Sequence, residues 1–260
     1  MKRSLYALLL IVLGALVLTA CGLLQEPEEA SAPIEAIPLA TQSAGVATAA
    51  PAEATTAPDV PAEAATDQPV VAPTDAPTDA PATAQVYTID SAASQVRFEL
   101  SEDLRGARNL VVGTTDQVAG QISLNLADLS QTEVGIIQIN ARTLLTDNNF
   151  RNRAIANDIL HTGDFEFITF TPTAIEGLPA SAAIGEAISF SIVGDLTIRD
   201  ITVPATFNVE ATAVSETQIT GTATAVVNRT DYDLRIPSVP SVANVDEEVQ
   251  LFIDFTANAS

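Results

Sequence analysis

One thiol, one imidazole and a set of arginines and carboxylates are the side chains of this 260-residue chain to weigh first for chemistry. Cys21 is the only cysteine, which rules out an internal disulfide and a multi-cysteine metal site. His161 is the only histidine. A metal site or a general base there would need partners at ligand spacing, and none is visible, so His161 reads as structural. Arg151 and Arg153 could meet a ligand head group, but a solvated face is the simpler reading. Arg229 and Asp231 read as a structural pair near a turn. Glu247-Glu248 falls in a turn without a recognisable cleft. The chain has no Gly-Xaa-Ser-Xaa-Gly, no phosphate loop and no zinc pattern. Catalysis is therefore the least supported class, and neither catalytic residues nor a metal nor a built-in cofactor is expected. Asn228-Arg-Thr230 and Asn258-Ala-Ser260 match the glycosylation sequon and are discounted.

What Cys21 can do depends on the residues before it. Lys2 and Arg3 open the chain, and an apolar run follows from Leu5 to Leu18, interrupted only by Tyr6 and Gly14. Thr19 and Ala20 then precede the cysteine. A basic start, an apolar centre and small residues before a cut describe a secretory signal. Leu18-Thr-Ala-Cys21 resembles the lipobox of bacterial lipoproteins. That resemblance implies cleavage before Cys21, a lipid on its sulfur, and an extracytoplasmic, membrane-anchored address at the cell surface or in the periplasm. The alternatives are an ordinary cleaved signal or a transmembrane anchor. A spanning helix needs about 20 apolar residues, and no basic residue occurs in 22–84 to stop transfer.

Losing residues 1–20 with Lys2 and Arg3 takes the formal net charge from −22 to −24. So acidic a chain argues against nucleic-acid binding through a basic surface. Residues 21–84 form a second region, rich in Ala, Pro and Thr, with ten of the fifteen prolines and no aromatic residue. Its near-repeat, Ala72-Pro-Thr-Asp-Ala-Pro-Thr-Asp-Ala-Pro81, cannot bury enough apolar surface to offset the entropy of ordering. A disordered, extended tether is expected.

All nine phenylalanines lie in residues 85–260, a length suited to one domain. Alternation dominates there. Val96, Phe98 and Leu100 interleave with Arg97, Glu99 and Ser101. Ile122 and Leu124 do the same, as do Val249, Leu251, Ile253 and Phe255, although Phe252 breaks the last pattern. A period of two marks strands with one face buried. Further strands are expected over 135–142, 166–173, 187–198, 203–213 and 218–228. One interval, Thr146 to His161, has helical spacing, with Thr146 or Asp147 as its cap and Gly163 beyond its end. Many short strands and one helix mean an antiparallel sandwich or barrel.

In order along the chain, Tyr87-Thr-Ile-Asp90, Ser94-Gln-Val-Arg-Phe98, Gly120-Gln-Ile-Ser-Leu124, Thr143–Arg151 and Phe167-Ile-Thr-Phe170 resemble segments of the YceI-like family. So do Gly194-Asp-Leu-Thr-Ile-Arg-Asp-Ile-Thr-Val-Pro204 and Val227-Asn-Arg-Thr-Asp-Tyr232. The likeness spans nearly all of 86–257. One departure is Asp233, where the family usually has Gly after the aromatic residue. The resemblance implies an all-β, lipocalin-like antiparallel barrel of eight strands with one short helical insert. It also implies a lumen that holds an isoprenoid or related amphiphilic lipid, for transport, storage or stress protection. Candidate lining residues are Phe98, Leu100, Phe167, Leu196, Ile198, Phe207, Val209 and Phe255 on the strands, with Ile155 and Ile159 closing one end from the helix. The same positions would also suit a filled core, in which case the domain is a ligand-free envelope interaction or adhesion module. A small barrel has room for one ligand at most, so cavity volume separates the two readings.

Overall fold

The computed structural model describes residues 26–39 and 84–260. The expected leader, Cys21 and most of the tether lie outside the described residues. Strands β1 (Gln85–Ile89) and β2 (Gln95–Leu104) are one run, broken by a turn at Ser91–Ala93 that Asp90 caps. Strands β3 (Ala107–Thr115), β4 (Val118–Ala119) and β5 (Gln121–Leu124) are a second run. A third contains β6 (Glu133–Val134) and β7 (Ile137–Asn140). After helix α1 (Asn149–Ala154) come β8 (Phe167–Glu176), β9 (Ala187–Ile198), β10 (Ile201–Ser215) and β11 (Gln218–Asn228). The short β12 (Val242–Ala243) and the long β13 (Glu248–Ala259) complete the order.

All pairings are antiparallel and lead round a ring. The first run pairs with the second through β1–β5 and β2–β3. The second meets the third through β4–β7 and β5–β6. Then β7, β8, β9, β10, β11 and β13 follow as neighbours, and β13 returns to β1 and β2. Counting each run once, this is the expected barrel of eight strands. The ring is uneven, however. Strand β3 pairs with β2 on one edge, and on its other edge it has one bridge, Thr114 to Leu145. At this end the sheet is a half-barrel, and the segment after β7 fills the gap.

Side-chain alternation sets the interior. In β10, Ala205, Phe207 and Val209 are buried while Thr206, Asn208 and Glu210 are exposed. Phe252, which breaks the alternation of β13, stacks outside the barrel beneath the Arg97 guanidinium, 4.2 Å from its ring centre. Strand β3 was not among the sequence expectations. Its Arg108, Asn109, Gly113, Thr114 and Thr115 dilute the apolar signal.

Three inward rings lie on glycines. Phe98 is in register with Gly113, and Phe255 with Gly221. An added Cβ would sit 2.1 Å from the Phe98 ring and 2.7 Å from the Phe255 ring. Phe170 covers Gly194 in the same way, at 2.7 Å, and meets Phe207 edge-on with ring centres 4.8 Å apart. The missing side chains let the rings lie flat against the wall, and the rings supply the packing that glycine lacks. At Gly194 and Gly221 the added carbon would also meet a backbone carbonyl oxygen, each at 2.5 Å. Gly194→Ala and Gly221→Ala should each lower stability by about 1–3 kcal/mol, as overpacking does. Denaturant titration checks this, with a lower midpoint and an unchanged slope as the expected outcome.

Candidate functional site

The split end of the barrel encloses a cavity of about 680 Å³. Phe98, Leu100 and Leu104 of β2 form one wall, and Val249 and Leu251 of β13 continue it. Ile168, Ile198 and Val227 close the floor side from β8, β9 and β11. The helical insert supplies a second wall through Leu144, Phe150, Ala154, Ile155, Ile159 and Leu160. A loop between β11 and β13 supplies the third, with Leu234, Ile236, Val239 and Val245 facing inward. Sequence reasoning missed this loop. Apolar residues recurring among the prolines of 234–245 were its available signal.

The insert is shaped by its polar residues. Asn148 is the cap, accepting from the amides of Phe150 and Arg151. Thr146 and Asp147, the expected caps, are otherwise engaged. Thr146 donates its amide and hydroxyl to Asn152, and Asp147 pairs with Arg151 at 2.6 Å. Past Ala154 the helix widens into a π turn over Ile155–Ile159, in which the Leu160 amide reaches the Ile155 carbonyl. Ile155, Ile159 and Leu160 all reach the cavity. His161 follows, exposed and with φ of 49°, where it ends the insert in a turn.

Arg151 is not on a solvated face. It lines the cavity and spans to Glu102 of β2 at 2.7 Å, and Glu102 is only 6% exposed. This ion pair joins the helix to the strand across the open side of the half-barrel. Arg229 does not pair with Asp231. Its guanidinium donates to the carbonyls of Leu234 and Asp246, both at 3.0 Å, and so holds both ends of the lining loop. Asp231 accepts instead from Asn228. Tyr232 is buried beside the cavity, its hydroxyl without a partner among the described residues. Burial, reinforced by the Asp231 carboxylate, pushes this phenol up to about 12, so it stays protonated at physiological pH. The next residue, Asp233, takes the left-handed conformation at φ 50°, which Asp tolerates better than most residues.

Part of the expected tether is ordered against the insert. Residues 26–39 run past its neck, where Arg142 and Glu166 bring its two ends together at 3.2 Å. Glu28 pairs with Arg142 at 2.8 Å, and Glu26 with Arg153 at 3.2 Å. Arg142 also donates to the carbonyls of Glu29, Thr162 and Gly163. Ser31 donates its amide and its hydroxyl to Glu166, and Leu39 donates its amide to Gln121. Composition misled here because the segment is held by polar contacts of Glu26, Glu28 and Ser31, with Ile34, Ile37 and Leu39 half-buried beside them.

Of the ten proposed lining residues, Phe98, Leu100, Ile155, Ile159 and Ile198 line this cavity. Phe207, Val209 and Phe255 face a separate void of about 100 Å³ at the closed end. Leu196 is 2% exposed and lines neither. Phe167 is 39% exposed on the outer face, because the inward positions of β8 are Ile168 and Phe170. No cluster of three or more metal-ligating side chains occurs among the described residues.

A family model for the YceI-like domain matches residues 87–257. The chain belongs to the YceI-like family. Two curated relatives, UPF0312 proteins SAS2572 and MW2606 of Staphylococcus aureus, are each 28% identical over 158 residues, which is 57% of this chain and 81% of theirs. Among solved structures, the fold matches a polyisoprenoid binding domain from Saccharophagus degradans with a TM-score of 0.55 at 17% identity, covering 68% of this chain and 99% of that one. BcnA of Burkholderia cenocepacia matches with a TM-score of 0.52 at 20% identity, covering 65% and 99%. At these identities the structures speak for the YceI-like fold.

Two outcomes follow from the polar contacts. Arg151→Met should cost about 3 kcal/mol by leaving Glu102 buried and unpaired, and the double variant with Glu102→Leu should recover most of that loss. Chemical denaturation of the four proteins measures it. The second concerns Glu166. Burial opposes its ionisation, but the Ser31 hydroxyl and amide, the Asn140 amide and the Arg142 guanidinium outweigh this and hold it below its ordinary 4.5. Arg142 in turn carries Glu28. A depressed carboxylate contributes its full stabilisation above the ordinary value and loses it as pH falls through the folded one. The Ser31 amide proton, followed by NMR, should therefore titrate with a midpoint below 4.5, and residues 26–31 should detach over that range.

Proposed function

We propose that this protein binds an apolar or amphiphilic lipid of isoprenoid type in the split end of its barrel, outside the cytoplasm, tethered to a membrane through lipidated Cys21. The observation that carries the reading is a cavity of about 680 Å³ with aliphatic and aromatic walls. Each CH₂ moved from water into such walls contributes about 0.8 kcal/mol, so a long tail binds without a specific polar contact. Membership of the YceI-like family supports a binding role, and the description of the Saccharophagus degradans domain as polyisoprenoid-binding supports the isoprenoid class. The lipobox-like Leu18–Cys21 supports the anchor, which would keep the carrier beside the membrane that holds its ligand. The reaction is capture and release, with no bond made or broken.

The test is extraction. Full-length protein purified from membranes should yield an apolar lipid near one per chain by mass spectrometry. Ala154→Trp, which fills the cavity from the helix, should come out folded and empty. Cys21→Ser should leave the membrane fraction with its lipid still bound. Wild-type protein that is empty, or a lipid load unaffected by Ala154→Trp, contradicts the reading.

A further inference from the structure

Within the barrel, the inward faces of β9 and β11 pass through three levels, while on β8 and β13 Ile168 and Leu251 of the large cavity are followed directly by Phe170 and Ile253 of the small void. On β9, Ile198 lines the large cavity, Leu196 lines neither space, and Ile192 lines the small void at the closed end. On β11 the series is Val227, Ala225, Ala223. The middle level also holds Val96 of β2 and Ala205 of β10, and all four of its residues are at most 8% exposed. These four residues are a floor. Beneath it the Phe170–Phe207 pair and its neighbours leave only about 100 Å³, so the interior is not a through tunnel.

We propose that this floor sets a ceiling on tail length, so that the site takes a hydrocarbon chain of about twenty carbons and gains nothing from a longer one. The inference deepens the proposed lipid-binding function and rests on it. A water-sized group occupies roughly 30 Å³ of liquid, so 680 Å³ holds on the order of twenty such groups. Up to that length each carbon enters apolar walls and raises affinity about fourfold. Beyond it the chain meets Leu196 and Val96, and further carbons stay in water.

Linear isoprenols of 15, 20, 30 and 40 carbons, delivered from cyclodextrin, compete against the fluorophore N-phenyl-1-naphthylamine bound to the full-length protein. Affinity should rise steeply from 15 to about 20 carbons and then change by less than threefold up to 40. Leu196→Ala, and the milder Val96→Ala, should join the two spaces and move the break upward by about five carbons. A continued rise of tenfold or more between 20 and 40 carbons in the wild type overturns the ceiling while leaving lipid binding intact. So does a break that stays in place in whichever variants fold. Displacement at no length overturns lipid binding itself, and the ceiling with it.

Discussion

Closing a sheet into a narrow barrel forces half of its side chains into one small space, and that space must be filled or split. This protein does both. At the closed end the inward rings of Phe170, Phe207 and Phe255 fill the lumen, two of them seated on Gly194 and Gly221. At the other end β3 lacks a full partner on one edge, and the wall opens. The gap is covered by an insert and a loop, neither of which can interdigitate as a strand would. An apolar cavity is the result. It arises from the sheet's own geometry, because the ring of pairings is thinnest where the second and third runs meet.

The covering elements are held by polar contacts at their edges. Glu102–Arg151 joins the helix to β2, Arg229 clips both ends of the loop, and Arg142–Glu166 ties the neck of the insert. Apolar surface faces inward between these clips. The division suits a wall around a greasy space, since buried apolar area gives non-directional adhesion while charge-assisted hydrogen bonds fix position. Residues 26–39 add a second layer of clips on the neck, so the stretch joining the barrel to the N-terminal region also braces a wall of the cavity.

Much of the fold was legible because period-two alternation is a direct consequence of one buried face. The expected strands 187–198 and 218–228 match β9 and β11. The helix was visible from its spacing, although its cap moved to Asn148 once Thr146 found Asn152. Less of the site could be read. Alternation says which side chains point inward but not at what height, so residues of the cavity, the floor and the closed end looked alike. It also left β8 ambiguous, since Phe167 and Phe170 both carry an aromatic ring and only one of them faces in. Arg151 and Arg229 depend on partners far away in sequence, Glu102 and Asp246, which local pattern cannot supply. The docked segment 26–39 was hidden by a composition that resembles the rest of the tether.

The central claim is that the open space lies at the split end and takes an apolar tail there. Methyl-labelled NMR of the full-length protein, titrated with a 20-carbon isoprenol, tests this most directly. Large shifts and intermolecular contacts are expected at the methyls of Leu100, Ile155, Ile198 and Leu251, with little change at Ile192 and Val209 below the floor. Contacts confined to the outer surface, or perturbation centred on the closed end, would contradict it.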